Sequence, residues 1–203
     1  MPISMANLRL SMDTALYQLK KPKTYAPNTS TTPRPPANLR EQYTYLRRNI
    51  LNNEDASTQF LFLPAQLHTS PYKTTLANAM AVKSAENYIS VMIQHSHPFS
   101  RGSAHIASGS IDDKPTYDSA YLSHPLDLEI MACQIQFIER IVTTGPFSSL
   151  LKAGNRIPRN AHGLDNIDHA KEIVKDRLYH SFHPIGTCAM LPGRLGVWLI
   201  PRS

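Results

Sequence analysis

The chain has 203 residues, 41% of them hydrophobic, and its 21 Lys and Arg against 15 Asp and Glu give a net charge of +6. This is enough apolar material for one domain of ordinary size with a real core. The basic residues are scattered, with Lys20-Lys21-Pro22-Lys23 the densest cluster, which argues against a nucleic-acid partner; the two cysteines exclude a disulfide framework or a cysteine zinc site, and no run reaches the roughly 18 apolar residues of a membrane span.

Sixteen prolines against eight glycines point to many extended and turn segments. Residues 5–20 carry Leu8, Leu10, Met12, Leu16 and Leu19 without a clean period and are read as a short helix. The first 21 residues lack the continuous apolar stretch of a signal peptide, and the compartment stays open. Residues 21–36, rich in Pro, Thr and Lys, read as a loop. Residues 37–52 place Leu39, Tyr43, Leu46 and Ile50 on one helical stripe, with Arg40, Glu41, Arg47 and Arg48 on the other faces. Phe60 to Leu63 is a short apolar strand closed by Pro64.

Residues 88–94 alternate Ile89, Val91 and Ile93 with polar or softer positions, the period of a half-buried strand. A turn at Ser100-Arg101-Gly102-Ser103 leads into a second strand over 104–107, expected to lie antiparallel to the first. Residues 125–143 predict the clearest helix: Ser123 or His124 as cap, Pro125 in the first turn, Asp127 and Glu129 at the positive end of the dipole. Its expected core stripe is Leu128, Met131, Ile135, Ile138 and Val142, and Gly145-Pro146 ends it. A last helix over 166–179, capped by Asn166, has the stripe Ile167, Ala170, Val174 and Leu178. Helices bracketing a few antiparallel strands predict an α+β domain. No strand runs into a Gly-x-Gly-x-x-Gly turn, so no Rossmann-like FAD-binding domain is expected in this chain.

The segment Ser181-Phe182-His183-Pro184-Ile185-Gly186-Thr187-Cys188-Ala189-Met190 follows the last helix. Pro184 has a fixed φ and pushes His183 into extended backbone, while Gly186 permits close approach of a flat ligand. Neutral imidazole, with an ordinary pKa of about 6.5, accepts protons at physiological pH. Core packing competes for most other candidates: Cys133 and Cys188 read as small buried hydrophobes, Arg101 as a turn contact, Tyr121 and Asp127 as packing and helix-start residues. His180, His183 and Cys188 do not make a metal set, and His95-x-His97 reads as a strand end.

The His-Pro-x-Gly-Thr-Cys-Ala-Met pattern at His183 to Met190 resembles the signature of the glucose–methanol–choline (GMC) flavin oxidoreductases. Pro98-Phe99-Ser100-Arg101-Gly102-Ser103 and the segment from Pro115 to Asp127 are similar to two further family blocks, in the same order and spacing. The resemblance implies the family's substrate-binding domain, an antiparallel sheet flanked by helices, with 1–88 a loosely fitting helical and loop region, 89–193 the C-terminal oxidoreductase domain and 194–203 a divergent tail. It implies His183 as general base in oxidation of the CH–OH group of a small alcohol, FAD as hydride acceptor, and Pro184, Gly186 and Thr187 beside the flavin. The family's FAD-binding region and its final flavin-contacting stretch have no counterpart here, so the expectation is a fragment. Such a fragment is inactive alone, or is a non-catalytic interaction domain that meets a partner chain or itself through the face left exposed.

Overall fold

Helix α1 spans Ala37–Leu51, and the predicted stripe faces inward along it: Leu46 and Ile50 are buried and Leu39 and Tyr43 half-buried. In the computed structural model the described residues are 37–52, 56–69, 75–81, 85–152, 154, 156–158, 163–180, 183 and 185. The short helix expected over 5–20, the loop over 21–36, Pro184, Gly186, Thr187, Cys188 and the 194–203 tail lie outside them.

The remaining elements are β1 (Thr58–Leu63), α2 (Leu76–Met80), β2 (Ser90–His95), β3 (Ser103–His105), β4 (Thr116–Asp118), α3 (Pro125–Thr143), a 3₁₀ turn (Phe147–Leu150) and α4 (Ile167–Arg177). They fall into two compact units. One holds Thr58–Ser96 and Leu128–Tyr179; the other holds the described parts of Lys21–Ser57, His97–Asp127 and His180–Ser203. The first turn of α3 therefore belongs to the second unit and its body to the first. The mixture of helices with small antiparallel sheets is α+β, as the patterning predicts.

In the first unit β1 and β2 pair antiparallel over their full length, Thr58 opposite His95 and Leu63 opposite Ser90. Pro64 closes β1 because it has no N–H for the ladder. The Ser90 hydroxyl continues the tie beyond the strands: it donates to the Ala65 carbonyl at 2.7 Å and accepts the Leu67 N–H at 3.1 Å. Along β2 every residue is half-buried, so the expected two-period contrast in exposure is absent. Phe60 meets Phe137 of α3, and Phe62 meets Phe147, with ring centroids 5.5 and 5.9 Å apart. The core also takes in Ala79, Ile130, Ala132, Cys133, Leu164, Ala170, Ile173 and Val174.

Helix α3 has the predicted bounds but not the predicted face. The buried stripe is Leu126, Ile130, Cys133 and Phe137, whereas Leu128, Met131, Ile135, Ile138 and Val142 are half-buried. Both sets satisfy helical spacing, because this helix carries apolar residues around most of its circumference. Helix α4 starts as predicted: Asn166 accepts the N–H groups of Asp168 at 2.9 Å and His169 at 3.4 Å. Lys171 of α4 pairs with Glu129 of α3 at 2.6 Å.

In the second unit β3 pairs antiparallel with β4, Ser103 opposite Asp118 and His105 opposite Thr116. This corrects the expected pairing of the 104–107 segment with the strand before it. β2 is paired with β1 instead, and the chain between β2 and β3 bends at Ser96 and His97. Every residue of β3 and β4 is exposed. Tyr121, read as a packing residue, is exposed as well.

Candidate functional site

Two segments distant in sequence, 98–103 and 116–127, are bound to each other in the second unit. At their centre is Asp127, in the first turn of α3 and 2% exposed. Its Oδ1 accepts the Phe99 N–H at 2.8 Å and its Oδ2 the Ser100 N–H at 2.7 Å. Two charge-assisted bonds of this length hold the 98–101 turn as a fork holds a rod. The Ser100 hydroxyl accepts the His124 N–H at 3.0 Å, a second tie between the same segments.

Arg101 stiffens the turn from within. One of its terminal nitrogens donates to the Pro98 carbonyl at 2.7 Å and the Ser100 carbonyl at 2.9 Å, and Nε donates to Gln42 of α1 at 3.1 Å. These are the turn contacts expected of it, and the guanidinium is held by two backbone carbonyls and the Gln42 side chain. Next in the chain, Gly102 allows a close backbone approach: a Cβ there would lie 2.0 Å from the Asp118 carbonyl oxygen and 2.9 Å from the Ser119 carbonyl carbon.

An aromatic cluster fills the same corner. The His124 ring stacks on Phe99 with centroids 5.0 Å apart and meets Tyr43 edge-on at 5.1 Å, and Tyr43 and Phe99 are 5.7 Å apart. His124 Nδ1 accepts the Leu126 N–H at 3.3 Å, so this histidine caps α3, one of the two residues expected to do so. Burial lowers the His124 pKa; Asp127 opposes the effect and Arg101 adds to it. Burial likewise raises the Tyr43 phenol above its ordinary value. Sequence reasoning missed the cluster itself; its one local trace was Tyr43 on the inner stripe of α1.

Of the predicted site residues, His183 is described, exposed and outside any helix or strand, and Ile185 beside it is exposed too. His180 is also exposed. Pro184, Gly186 and Thr187, the expected flavin-facing backbone, lie outside the described residues. Cys133 is buried in α3, and burial first, then Glu129, pushes its thiol up to about 11. That is the inert core thiol expected there. His95 is the last residue of β2, the strand end expected of it. Among the described residues no group of three or more His, Cys, Asp or Glu is arranged to hold a metal ion, and no helix is long and apolar enough to cross a membrane.

The two bonded segments and the exposed histidine fall within one stretch of similarity to known proteins. The family model for GMC oxidoreductase matches residues 98–197. Dehydrogenase mpl7 of Monascus purpureus and dehydrogenase citC of Monascus ruber are each 31% identical over 157 residues, which is 74% of this chain and 24% of theirs. A dehydrogenase of Armillaria gallica is 31% identical over 117 residues, 58% of this chain and 18% of its own. No solved structure matches this chain. The chain belongs to the GMC oxidoreductase family. It spans about a quarter of the length of the two Monascus relatives.

Proposed function

We propose that this chain is the histidine-bearing, substrate-binding part of an FAD-dependent oxidoreductase that acts on the CH–OH group of a small alcohol. The observation that carries the reading is His183: it stands in the family signature, inside the matched segment, with its side chain exposed. In this reading neutral His183 accepts the hydroxyl proton of the alcohol as general base. FAD, when bound, supplies the hydride acceptor that no side chain provides. The His183 imidazole and the apolar Ile185 side chain, two positions apart, are both exposed. Pro184, Gly186 and Thr187 are the proposed backbone neighbours of that ring, by position in the signature. The dehydrogenase names of the relatives support the redox assignment.

The test is flavin retention followed by turnover. The 203-residue chain is mixed with FAD, free cofactor is removed, and flavin absorbance travelling with the protein is measured. Retained flavin, with alcohol-dependent reduction of a dye in the native chain and its loss in His183→Ala, supports the assignment. Retained flavin with His183→Ala turning over at the native rate overturns the role of His183.

A second reading is an interaction domain of the same family that carries out no redox step. It is favoured by the large apolar side chains around the β3–β4 hairpin: Ile106 is 86% and Ile111 98% exposed, and Tyr117 and Tyr121 are open as well. Self-association or capture of a partner chain through that surface, without flavin retention, supports it. A monomer that keeps flavin sinks it.

A further inference from the structure

His124 makes three polar contacts at the junction of the 98–101 turn and α3. Its N–H donates to the Ser100 hydroxyl at 3.0 Å. Its carbonyl accepts the Asp127 N–H at 3.1 Å. Its Nδ1 accepts the Leu126 N–H at 3.3 Å. The third contact has a chemical condition: an accepting Nδ1 carries no proton, so the cap exists only for the neutral ring with its proton on Nε2. Protonated imidazole presents N–H to N–H at that point. It also places a cation at the positive end of a 19-residue helix.

We infer that His124 is a pH-sensitive latch, whose neutral ring caps the first turn of α3 through the Leu126 amide, and whose protonation releases that cap. Among the described residues, charged and titratable groups face the ring from three elements. From the turn comes the Arg101 guanidinium, which disfavours a second cation. From α3 comes the Asp127 carboxylate, which favours one, but whose two oxygens already accept the Phe99 and Ser100 amides. From α1 comes the Tyr43 phenol, uncharged.

Burial keeps His124 below its ordinary value in the folded chain. The unfolded chain therefore binds the proton first as pH falls. The latch contributes its full stabilisation above about pH 6.5, and that contribution declines as pH falls from there through the lower folded-state value.

Hydrogen exchange on the full chain tests this. At pH 5.5 against pH 7.5, after correction for intrinsic exchange, the Leu126 amide loses about five- to ten-fold of its protection, the scale of a lost helix cap. His124→Asn keeps a capping acceptor that does not titrate, and the difference between the two pH values disappears. Equal protection at both pH values in the native chain, or an unchanged pH difference in His124→Asn, overturns the latch. Should that variant fail to fold, the native imidazole resonances decide. A midpoint below about 6.5, followed by the Leu126 amide shift, is expected; a midpoint at or above it, or a Leu126 amide that does not follow, overturns the proposal.

Discussion

Asp127 Oδ2 accepts the Ser100 backbone N–H at 2.7 Å, from 27 positions further along the chain. With Oδ1 on Phe99 it makes a two-pronged clasp in a nearly water-free setting. Removing the carboxylate strands two amides at once. Asp127→Ala is expected to cost about 3–5 kcal/mol, since a hydrogen bond to a charged group contributes about 1.5–3 kcal/mol and a buried unpaired donor adds its desolvation penalty. Asp127→Asn keeps one good acceptor and is expected to cost roughly half as much. Urea midpoints of the three proteins check the order; equal midpoints would remove the clasp from the stability of the second unit.

Gly102 faces a wall of backbone rather than a flexible side chain. A methyl group at 2.0 Å from the Asp118 carbonyl oxygen has no space to occupy unless the β3–β4 pairing opens. Gly102→Ala is therefore expected to destabilise by about 1–3 kcal/mol or more, in the range of overpacking. The loss is local: amide protection across Ser103–His105 and Thr116–Asp118 falls while the β1–β2 pair is unchanged. A neutral effect on hairpin protection would mean that the Gly102 backbone does not hold the β3–β4 pairing in place.

What was legible in the sequence was local. Pro125, Asp127 and the Gly145-Pro146 pair bracket α3 within a few residues of each boundary, and Asn166 announces α4, because caps and breakers act on their nearest neighbours. The buried stripe of α3 was not legible: Leu126, Ile130, Cys133 and Phe137 compete with Leu128, Met131, Ile135, Ile138 and Val142 at the same spacings. Tertiary packing selects between them, as where Phe137 meets Phe60 of β1. Strand pairing failed for the same reason: β2 joins the earlier β1, and the period-two pattern says that a strand exists without naming its partner. In the candidate site, Asp127 was readable as a helix-start residue and Arg101 as a turn contact. The bonds from Asp127 to Phe99 and Ser100 were not, since residues so far apart leave no periodic trace. His183 is a candidate by its signature alone, and the structure adds only that it is exposed.

Lys171 and Glu129 join α4 to α3 at 2.6 Å, yet both side chains keep more than a fifth of their surface in water. Hydrogen bonding to Glu129 is the largest influence raising the Lys171 pKa. A raised lysine contributes below its unfolded value of about 10.4 and loses that contribution only as pH climbs through the folded value, so the pair is constant across neutral pH. Solvent screening limits what it supplies. Lys171→Met is expected to cost about 0.2–1 kcal/mol in dilute buffer and less in 1 M salt. Thermal melts at two salt concentrations check this, and a loss above about 2 kcal/mol would mean that packing of the lysine stem, not charge, joins the helices.

Cys133 offers a test of the first unit that needs no substitution. Its thiol is buried against the face of α3 that packs inward, and burial, reinforced by Glu129, lifts its pKa to about 11 while Lys171 opposes. At pH 8 the thiolate is then about one part in a thousand, where an exposed cysteine near 8.5 would be roughly a quarter ionised. Burial blocks the reagent as well, so the two effects multiply. Iodoacetamide at pH 8 is expected to leave Cys133 unmodified in the native chain over hours and to label it within minutes in concentrated guanidinium, with peptide mass spectrometry reporting this cysteine separately. The labelling rate then follows opening of the α3–α4 packing and rises in Lys171→Met by about five-fold for each 1 kcal/mol of stability lost. Rapid native labelling would place Cys133 on an open surface and contradict the packing of α3 through Ile130, Cys133 and Phe137.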